Sequence, residues 1–441
     1  MAQGTVNGYA AVSGEGTTTT TGGGNATPTT VTTYAQLASA VSGNSAKVVV
    51  VSGTIRTTDG GGSALSVGNN TTLVGANSSA TIYGGLSLGN NVIVRYLNIQ
   101  GTYPNSGPDD VLHVQTVHHV WIDHCNLWDA TDGILDITEQ ASYVTVSWCK
   151  FWYTSSSNGH RLSCLIGSGG GDHPEDWGYL KVTYHHNWFS TLCNERMPRL
   201  MYGMAHVYNN YYTCSGNSYC LGVGSYGSML IENNYFNGVH NPHQFMYTVW
   251  CWIVARGNTY VNCTGSEDTG KGGSADATGQ SFDVQPFNTP PYSYTADSAA
   301  NVPSLVQASV GPQTPVATAF EAENGTLGGG AVVSSSFAGA SGGKCVDLPT
   351  SGGYVQINNV TGIGRSAKVV VRYSNGGTGS RTGLLLINGV SQPFTTPVTG
   401  SWTTWANLTV NVNLNTGTSN TIRVQSNGQD MGLLDSFTVT P

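Results

Sequence analysis

The sequence has few charged residues, no cluster of positive charge and no long apolar run. Only 9% of its 441 residues are Asp, Glu, Lys or Arg, and an average soluble domain has ~25%. The net charge is −8, and the lack of a basic run argues against nucleic acid as a partner, because phosphate binding needs clustered Lys and Arg. No stretch approaches the ~20 apolar residues of a membrane-spanning helix. We therefore expect neither a nucleic-acid partner nor a membrane span.

The chain also lacks a recognisable signal peptide and any Cys-x-x-Cys spacing typical of zinc sites. It begins at Met1 and passes directly into a Gly- and Thr-rich segment, which is typical of a mature secreted protein with an added Met. Nine cysteines are an odd number, and the two candidate disulfides are Cys214 with Cys220 and Cys251 with Cys263. We expect a secreted, extracellular protein, and a monomer because the sequence shows no sign of an oligomer.

Glycine is abundant, at 59 residues, and such a chain favours strands and turns over helices. Seven eight-residue segments share apolar residues at positions one and three and an apolar or aromatic residue at position eight. They begin at Val92, Val120, Val144, Val182, Ala205, Met229 and Ile253. The sixth positions read Leu, Cys, Cys and then four Asn, at steps of 28, 24, 38, 23, 24 and 24 residues.

This spacing predicts a solenoid of short strands, namely a parallel β-helix in which Asn side chains form a ladder along one turn. A β-propeller is the alternative, but it needs ~40–45 residues for each blade. The 38-residue step indicates an insertion over residues 154–176, which we expect to form one face of a binding site. Residues 32–43 carry a helical pattern, which predicts a helix that caps one end of the solenoid.

The repeat ends before residue 264, and residues 264–308 are expected to form a long loop packed against the barrel. From Phe320 onward, alternating strands separated by turn residues predict an antiparallel β-sandwich. The predicted fold class is therefore all-β. It divides into a parallel β-helix at residues 1–310, a linker at 311–317 and a jelly-roll sandwich at 318–441.

Three acidic residues are candidates for a metal site. Asp110 precedes one predicted strand, and Asp132 and Asp136 belong to the next, one coil later. Adjacent coils are ~4.8 Å apart, so the three carboxylates could converge on one ion, and Ca²⁺ prefers such flexible oxygen ligands. The alternative is that they are solvated turn residues.

Several segments, in this order, resemble pectate lyases of polysaccharide lyase family one, over residues 33–310. They are VWIDHCNLWDATDGILDIT, ASYVTVSWCKF, HRLSCLIG, VTYHHNWF, RMPRL and AHVYNNYY. The resemblance implies a right-handed parallel β-helix and calcium-dependent β-elimination of polygalacturonan. It also implies that Asp110, Asp132 and Asp136 hold the catalytic calcium and that Arg196 is the catalytic base. An arginine base is unusual because a guanidinium normally stays protonated, so a carboxylate clamp is the other role open to Arg196.

Two departures from the family pattern concern substrate charge. Leu162 and Met201 stand where the family usually has Lys and Arg. Losing two cations predicts weaker binding of fully charged polygalacturonan and tolerance of methyl-esterified pectin. The candidate substrate-binding residues, some of which could compensate, are Arg199, His160, Arg161, Trp152 and Trp177. A calcium-independent pectin lyase and a non-catalytic β-helix adhesin remain alternative functions.

The second domain resembles carbohydrate-binding modules of family thirty-five or family six. The matching pieces are Glu321-Ala-Glu323, SGGKCV, VRYSN, Trp402-x-x-Trp405, NTIRV and LLDSFTV. The resemblance implies a structural calcium at Glu321, Glu323 and Asp435, and binding of a plant cell-wall glycan. The candidate sugar-binding residues are Tyr354, Arg381, Trp405 and Asn427.

Overall fold

The structure is a computed structural model that describes residues 5–24, 26–168, 173–313, 317–350, 352–362, 366–415 and 417–440. It divides into two compact units, residues 6–314 and 315–441. The predicted linker at 311–317 includes residues 314–316, and the predicted insertion at 154–176 includes residues 169–172; both stretches lie outside the described residues. No helix in the described part of the chain has the length and apolarity needed to cross a membrane.

The first unit is a parallel solenoid with three sheets along its length. Sheet 1 contains Pro28–Val31, Lys47–Val51, Thr71–Gly75, Val92–Arg95, His118–Asp123, Ser142–Ser147, Lys181–His185, Met204–Tyr208, Ser228–Glu232, Cys251–Arg256 and the antiparallel Gly270–Gly272. Sheet 2 contains Leu65–Val67, Leu86–Leu88, Leu112–Gln115, Gly133–Thr138, Leu162–Ile166, Arg199–Met201, Leu221–Gly224 and His243–Phe245. Sheet 3 contains Thr54–Arg56, Thr81–Tyr83, Asn98–Gln100, Asn126–Trp128, Lys150–Trp152, Trp188–Phe189, Tyr211–Tyr212, Tyr235–Asn237 and Thr259–Val261.

Each repeat found in the sequence spans a sheet 1 strand, a two-residue turn and the start of a sheet 3 strand. The first turn residue is left-handed in every repeat, with φ between 49° and 65°. The second turn residue forms the predicted ladder, because the Asn187, Asn210 and Asn234 side-chain amides each donate to the Asn Oδ1 of the following coil at 2.9–3.0 Å. Each such bond contributes ~1 kcal/mol and fixes the register of the coils.

The core of the solenoid consists of side chains stacked in columns. On the inner face of sheet 3, Phe189 packs between Phe151 at 4.9 Å and Tyr212 at 5.1 Å between ring centroids. The helix Tyr34–Val41 covers the first coils with Leu37 and Val41, which are both fully buried. The helix predicted to cap the solenoid is therefore present.

A second helix, Val302–Ser309, lies within the segment predicted as a long loop, so that prediction is wrong. Its apolar residues Val302 and Val306 are buried against Tyr211 on the outer face of sheet 3. Both candidate disulfides are also wrong, because all nine cysteines are unpaired and eight of them are buried. The Cys214 thiol lies in hydrogen-bond contact with the Cys220 thiol and also contacts the Met197 sulfur at 3.3 Å.

The second unit is an antiparallel sandwich. Sheet 4 contains Val332–Ser334, Cys345–Leu348, Gly432–Thr440, Ser366–Ser374 and Ala406–Asn413, with Thr318–Glu321 paired to Gly432–Thr440. Sheet 5 contains Thr326–Gly328, Tyr354–Gly362, Gly417–Gln425, Arg381–Ile387 and Val390–Thr396. The apolar faces of both sheets share one core. The predicted fold class, an all-β chain with a parallel solenoid followed by an antiparallel sandwich, is confirmed.

Candidate functional site

The outer face of sheet 2 carries a pair of acidic side chains on neighbouring strands. Asp136 alternates with Leu135 and Ile137, which are fully buried in the core, so its carboxylate lies on the outer face. In the register of the two strands His113 is opposite Asp136. Asp110 lies just before the strand that carries His113, and its Oδ2 is 4.0 Å from His113 Nδ1.

Gly133 brings the carboxylates of Asp110 and Asp136 together. The Gly133 N–H donates to Asp110 Oδ1 at 3.1 Å, and the Leu165 N–H donates to Asp136 Oδ1 at 3.2 Å. A Cβ at position 133 would lie 2.4 Å from Asp136 Oδ1 and 3.1 Å from Asp110 Oδ1. Both carboxylates therefore occupy space that only a glycine leaves free.

The electrostatics of this pair are those of crowded negative charge, because Asp136 is buried and Asp110 half-buried. Burial raises the pKa of Asp110 and the pKa of Asp136 to about 7. Repulsion from Asp110 raises the pKa of Asp136 further, Asp132 raises both, and the Arg196 guanidinium opposes these effects on both carboxyls. Asp132, Asp110, Asp136 and Arg196 therefore lie within electrostatic reach of one another.

These carboxylates suit a hard divalent cation such as calcium. The Asp110–Asp136 pair is desolvated and self-repelling, so a cation would relieve the repulsion, and carboxylate oxygens are the ligands that calcium prefers. Within the part of the chain that the structure describes, no three Asp, Glu, His or Cys side chains are placed to hold a metal by themselves. Asp132 is partly exposed, and its Oδ1 lies 3.3 Å from Nδ1 of His160. The pair therefore fits an open calcium site that takes further oxygens from water or substrate.

Arg196 lies beside the carboxylates in a constrained conformation. Its φ is 59°, in the left-handed region that non-glycine residues seldom adopt, and such strain is frequent at functional sites. Its Nε is buried and has no hydrogen-bond partner among the described residues. The side chain is thus partly desolvated and is not committed to an ion pair in the described structure.

Arg199 and Met201 share the outer face of sheet 2, because Leu200 between them is fully buried. Arg199 is opposite Leu165 on one side and Gly222 on the other. Met201 is itself nearly buried, and its side chain lies against Gly167. A packed apolar side chain, rather than a water-filled gap, therefore occupies the position of the missing cation.

Leu162, the other position that lacks a cation, is half-buried and begins its strand opposite Gly133. It is therefore a direct neighbour of the residue that holds the two carboxylates together. Arg161, which precedes it, is half-buried, and its carbonyl accepts from the Asn194 N–H. His160 is 66% exposed at the edge of the site, beside Asp132.

Two predicted substrate-binding residues lie apart from the carboxylates. Trp152 is on the outer face of sheet 3, where its ring stacks on Trp128 at 5.5 Å and its indole N–H donates to Asn126. Trp177 stacks on Phe282 at 4.7 Å and lines a separate cavity of about 260 Å³. Neither has a described contact with Asp110 or Asp136.

His113 is a site residue that the sequence analysis missed. Its Nε2 lies 3.2 Å from Thr138 Oγ1, and its ring is next to Asp110 and opposite Asp136. The signal was available, because Leu112 and Val114 alternate with it and must point inward once the strand is assigned.

The second unit contains another carboxylate cluster, at the turn Ser341–Gly343. Oε2 of Glu321 and Oε2 of Glu323 are buried and have no hydrogen-bond partner among the described residues. Asp435 accepts from the Ser341 N–H at 2.7 Å and pairs with Arg372. The two glutamates therefore have oxygens free for a cation, whereas Asp435 is already engaged.

The four candidate sugar-binding residues of this unit fall into different surroundings. Tyr354 lies under the Arg423 guanidinium, at 4.0 Å. Arg381 lies over Trp402 at 5.1 Å and pairs with Asp430. Trp405 lies under Arg372 and its indole N–H donates to the Ala338 carbonyl. Asn427 is exposed on a loop. No described contact joins these four residues into one site.

Comparison with known proteins gives a family for each unit. Residues 1–314 match the family model described as pectate lyase, and residues 321–441 match the model of carbohydrate binding module family 6. A pectate trisaccharide-lyase of Thermotoga maritima is 40% identical over 158 residues, which are 34% of this chain and 41% of that relative. The chain therefore spans about two fifths of the length of that relative.

Two further relatives cover more of the first unit. A probable pectate lyase A of Neosartorya fischeri is 32% identical over 257 residues, which are 56% of this chain and 71% of that protein. The crystal structure of a pectate lyase from Bacillus sp. N165, in complex with trigalacturonate, matches 70% of this chain and 98% of that chain. Its TM-score is 0.54, at 25% identity.

Proposed function

Because this chain belongs to the pectate lyase family and carries a family 6 carbohydrate-binding module, we propose that it is a secreted, calcium-dependent lyase that cleaves α-1,4-linked polygalacturonan. The observation that carries the proposal is the Asp110–Asp136 pair held against Gly133, with the uncommitted Arg196 beside it. The products are 4,5-unsaturated oligogalacturonides.

The reaction is a β-elimination. The C5 proton of a galacturonate residue is removed, the bond between C4 and the glycosidic oxygen breaks, and a double bond forms between C4 and C5. The departing oxygen takes up a proton. Arg196 is the residue placed to accept the C5 proton, and its buried Nε, which has no hydrogen-bond partner among the described residues, supports this role because the guanidinium is not committed to another group.

Asp110 and Asp136 would hold calcium, with Asp132 as a further ligand. When bound, the ion supplies positive charge to the substrate carboxylate, where negative charge develops as the C5 proton leaves. The chain's own residues then have two tasks. The acidic pair fixes where a uronate carboxylate can bind, and Arg199, on the same outer face, provides a cation for a neighbouring uronate.

We also propose that the enzyme tolerates methyl-esterified substrate. Leu162 is half-buried beside Gly133 and Met201 is packed on the outer face of sheet 2, so two positions along the strands are apolar. An apolar contact favours a neutral ester over a carboxylate, which would lose hydration there without gaining a partner. The C-terminal module would bind plant cell-wall glycan and keep the lyase on its polymer.

The decisive experiment compares the wild-type protein with Arg196→Ala. We expect wild-type protein to release product that absorbs in the ultraviolet through its conjugated double bond, and Arg196→Ala to release none while still binding the polymer. Arg196→Lys, which keeps the charge, tests whether a clamp is sufficient. Full activity of Arg196→Ala would overturn the assignment of Arg196 as the base and would show that the catalytic centre lies elsewhere.

Calcium dependence separates the remaining candidates. We expect excess chelator to abolish cleavage of both de-esterified and esterified substrate. Full activity on esterified pectin in excess chelator would instead identify a calcium-independent pectin lyase. Polymer binding without any cleavage, with or without calcium, would identify a non-catalytic glycan-binding protein.

A further inference from the structure

A cavity of about 260 Å³ lies at the edge where strands of sheet 2 turn into strands of sheet 1. Its walls come from the same turn in three consecutive coils, at residues 177–179, 202–204 and 226–228, and from the segment 283–285. Neither Asp110 nor Asp136 lines this cavity, so it is separate from the candidate active site. Four aromatic residues surround it, namely Trp177, Tyr179, Tyr202 and Tyr226.

The segment that closes the cavity is held in place by hydrogen bonds to aromatic side chains of the solenoid. The Tyr226 hydroxyl donates to Asp276 Oδ1 at 3.1 Å and accepts from the Ala277 N–H at 2.9 Å. The Trp252 indole N–H donates to the Val284 carbonyl at 2.8 Å. Because these bonds fix the closing segment on the turns of a rigid solenoid, the cavity is preformed, as ligand pockets usually are.

Trp177 provides a flat apolar surface in this cavity. Its ring stacks on Phe282 at 4.7 Å with 12° between the planes, and the Tyr226 ring lies nearly perpendicular to it, at 78°. Asp176, the preceding residue, is fully buried and accepts from the Gln140 N–H at 2.7 Å, which anchors the turn. Trp177 itself is only half-buried. A fixed, half-buried indole ring is a ready contact for the flat apolar face of a ligand.

The polar groups of the cavity are acidic or neutral. Asp283 and Gln285 are exposed, and Nε2 of Gln285 donates to Asp283 Oδ1 at 2.6 Å. No Lys, Arg or His is among the described residues that line the cavity. A ligand carboxylate would be repelled by Asp283 and would lose hydration without gaining a cation. Ligand hydroxyls, in contrast, can donate to the carboxylate and bond with the amide.

We propose that this cavity binds a neutral sugar residue, with the apolar face of the pyranose ring on Trp177 and its hydroxyl groups bonded to Asp283 and Gln285. A pyranose offers C–H groups on one face and hydroxyls at its edge, which matches this lining. The occupant therefore differs from the galacturonate of the proposed lyase reaction, and the site does not depend on that reaction.

The size and ring arrangement of the cavity narrow the class of ligand. Its volume is just below the ~300–1,000 Å³ of most ligand pockets, so it suits one sugar residue at a chain end or a branch. An organic cation would need several ring faces directed at one point. Here Trp177 stacks on Phe282 and Tyr226 packs across Phe282 at 87°, so the rings form a packed wall with one flat surface.

The test is hydrogen–deuterium exchange of the full chain, measured peptide by peptide, so that sugar bound to the C-terminal module is detected separately. The neutral probes are cellobiose and galactobiose, and the charged probes are digalacturonate and tetramethylammonium. We expect at least one neutral disaccharide to slow exchange in residues 276–287, and both charged probes to leave it unchanged there. Unchanged exchange with both neutral disaccharides would overturn the proposal, and so would slower exchange with either charged probe.

Two variants test the assigned contacts. Trp177→Ala removes the flat surface and should abolish the slower exchange. Because Trp177 also packs on Phe282, the second variant is Asp283→Ala, at an exposed position. We expect Asp283→Ala to raise the disaccharide concentration for half of the effect roughly three- to tenfold, the loss expected for one hydrogen bond.

The matched controls are Trp128→Ala, which removes a half-buried ring from sheet 3, and Asp59→Ala, which removes an exposed acid from another part of the solenoid. Both should respond to the neutral disaccharides as the wild-type protein does. A wild-type response in Trp177→Ala or in Asp283→Ala would overturn the sugar site while leaving the lyase proposal intact.

Discussion

Gly133 lies directly against the carboxylate of Asp136, so closely that a Cβ on Gly133 would be 2.4 Å from Asp136 Oδ1. The same glycine donates its N–H to Asp110. One residue therefore sets the separation of two carboxylates from neighbouring coils, of which Asp136 is buried and Asp110 half-buried. The calcium affinity proposed for this site should depend on the lack of a side chain at position 133 as much as on the acids themselves.

Gly133→Ala should disable the site without unfolding the solenoid. The added methyl must displace the Asp136 carboxylate, so we expect at least tenfold weaker calcium binding and a similar loss of kcat/KM. Calcium titration calorimetry and initial rates at several calcium concentrations measure these two effects. The control is Gly379→Ala, because a Cβ there has no atom within 4 Å. Wild-type calcium affinity in Gly133→Ala would contradict the proposed ligand pair.

Leu162→Lys should shift the substrate preference toward charged polygalacturonan. The new ammonium would lie on the strand beside Gly133, where it attracts a substrate carboxylate and gains nothing from a methyl ester. We expect the ratio of kcat/KM on de-esterified to highly esterified substrate to rise by roughly three- to tenfold, since one such contact contributes ~1 kcal/mol. Leu162→Met preserves volume and charge and should leave the ratio unchanged. A ratio unaffected by Leu162→Lys would show that Leu162 does not set the preference.

The sequence predicts the repeat well because its physical causes are local. Alternating apolar residues identify the strands, and the Asn at position six of the later repeats satisfies the turn backbone of the preceding coil, as Asn210 Oδ1 does by accepting from the Asn187 N–H. The proximity of Asp110 and Asp136 is also predictable, because residues on adjacent coils of a solenoid are neighbours.

Side-chain placement between sheets is harder to predict. Trp152 flanks the insertion in sequence but belongs to sheet 3, whereas the carboxylates are on sheet 2. Tyr247 lies more than a hundred residues after Asp136 in a segment without a repeat signal, so only the folded chain places it on Gly224. The local pattern does not predict the helix Val302–Ser309. Its apolar stripe is short and packs on Tyr211, a contact that only the folded chain reveals.

Calcium should stabilise the C-terminal module through Glu321 and Glu323. Their buried oxygens have no hydrogen-bond partner among the described residues, so a cation would remove a desolvation penalty. At a hundredfold excess of calcium over Kd we expect about 2.7 kcal/mol of added stability. Calorimetry of the full chain with calcium or chelator measures this gain. The stability that calcium adds to the module should vanish in Glu323→Gln and persist in Asp136→Asn. If it persists in Glu323→Gln, Glu321 and Glu323 do not form this calcium site.

Asn210→Ala should destabilise the solenoid by about 2–4 kcal/mol, because several buried partners lose their hydrogen bonds at once. Asn210 Oδ1 accepts from the Asn187 backbone and side chain, and its amide donates to Asn234 Oδ1. Urea unfolding followed by tryptophan fluorescence measures the change. Asn44→Ala removes an exposed amide and should change the free energy of unfolding by less than about 0.5 kcal/mol. Equal stability of the two variants would show that the ladder contributes little.

A buried ionic network lies on the outer side of sheet 1, around Glu232. The carboxylate accepts from Tyr294 at 2.5 Å, lies 2.9 Å from Nε2 of His206 and pairs with Arg256. Burial alone would raise the pKa of Glu232, but the hydrogen bonds from His206, Arg256 and Tyr294 outweigh it and hold the pKa at about 2. Burial lowers the pKa of His206, which the bond to Glu232 opposes.

Acid should therefore destabilise the solenoid partly through Glu232, and Glu232→Gln should make the stability of the solenoid less dependent on pH. The folded pKa of Glu232, about 2, is below its value of ~4.3 in an unfolded chain. Its contribution to the free energy of unfolding is thus complete above pH ~5 and is lost as the pH falls toward 2. His206 has a lowered folded pKa as well, so its contribution to the free energy of unfolding begins to fall below pH ~6.5.

We expect the melting temperature of the wild-type protein to fall steeply between pH 5 and 3. We expect Glu232→Gln to be less stable at pH 7 and to have a shallower slope below pH 5. Thermal melts at half-unit pH intervals measure both curves, with Glu139→Gln, at an exposed position, as the control. Parallel curves for Glu232→Gln and wild type would show that this network does not control acid stability.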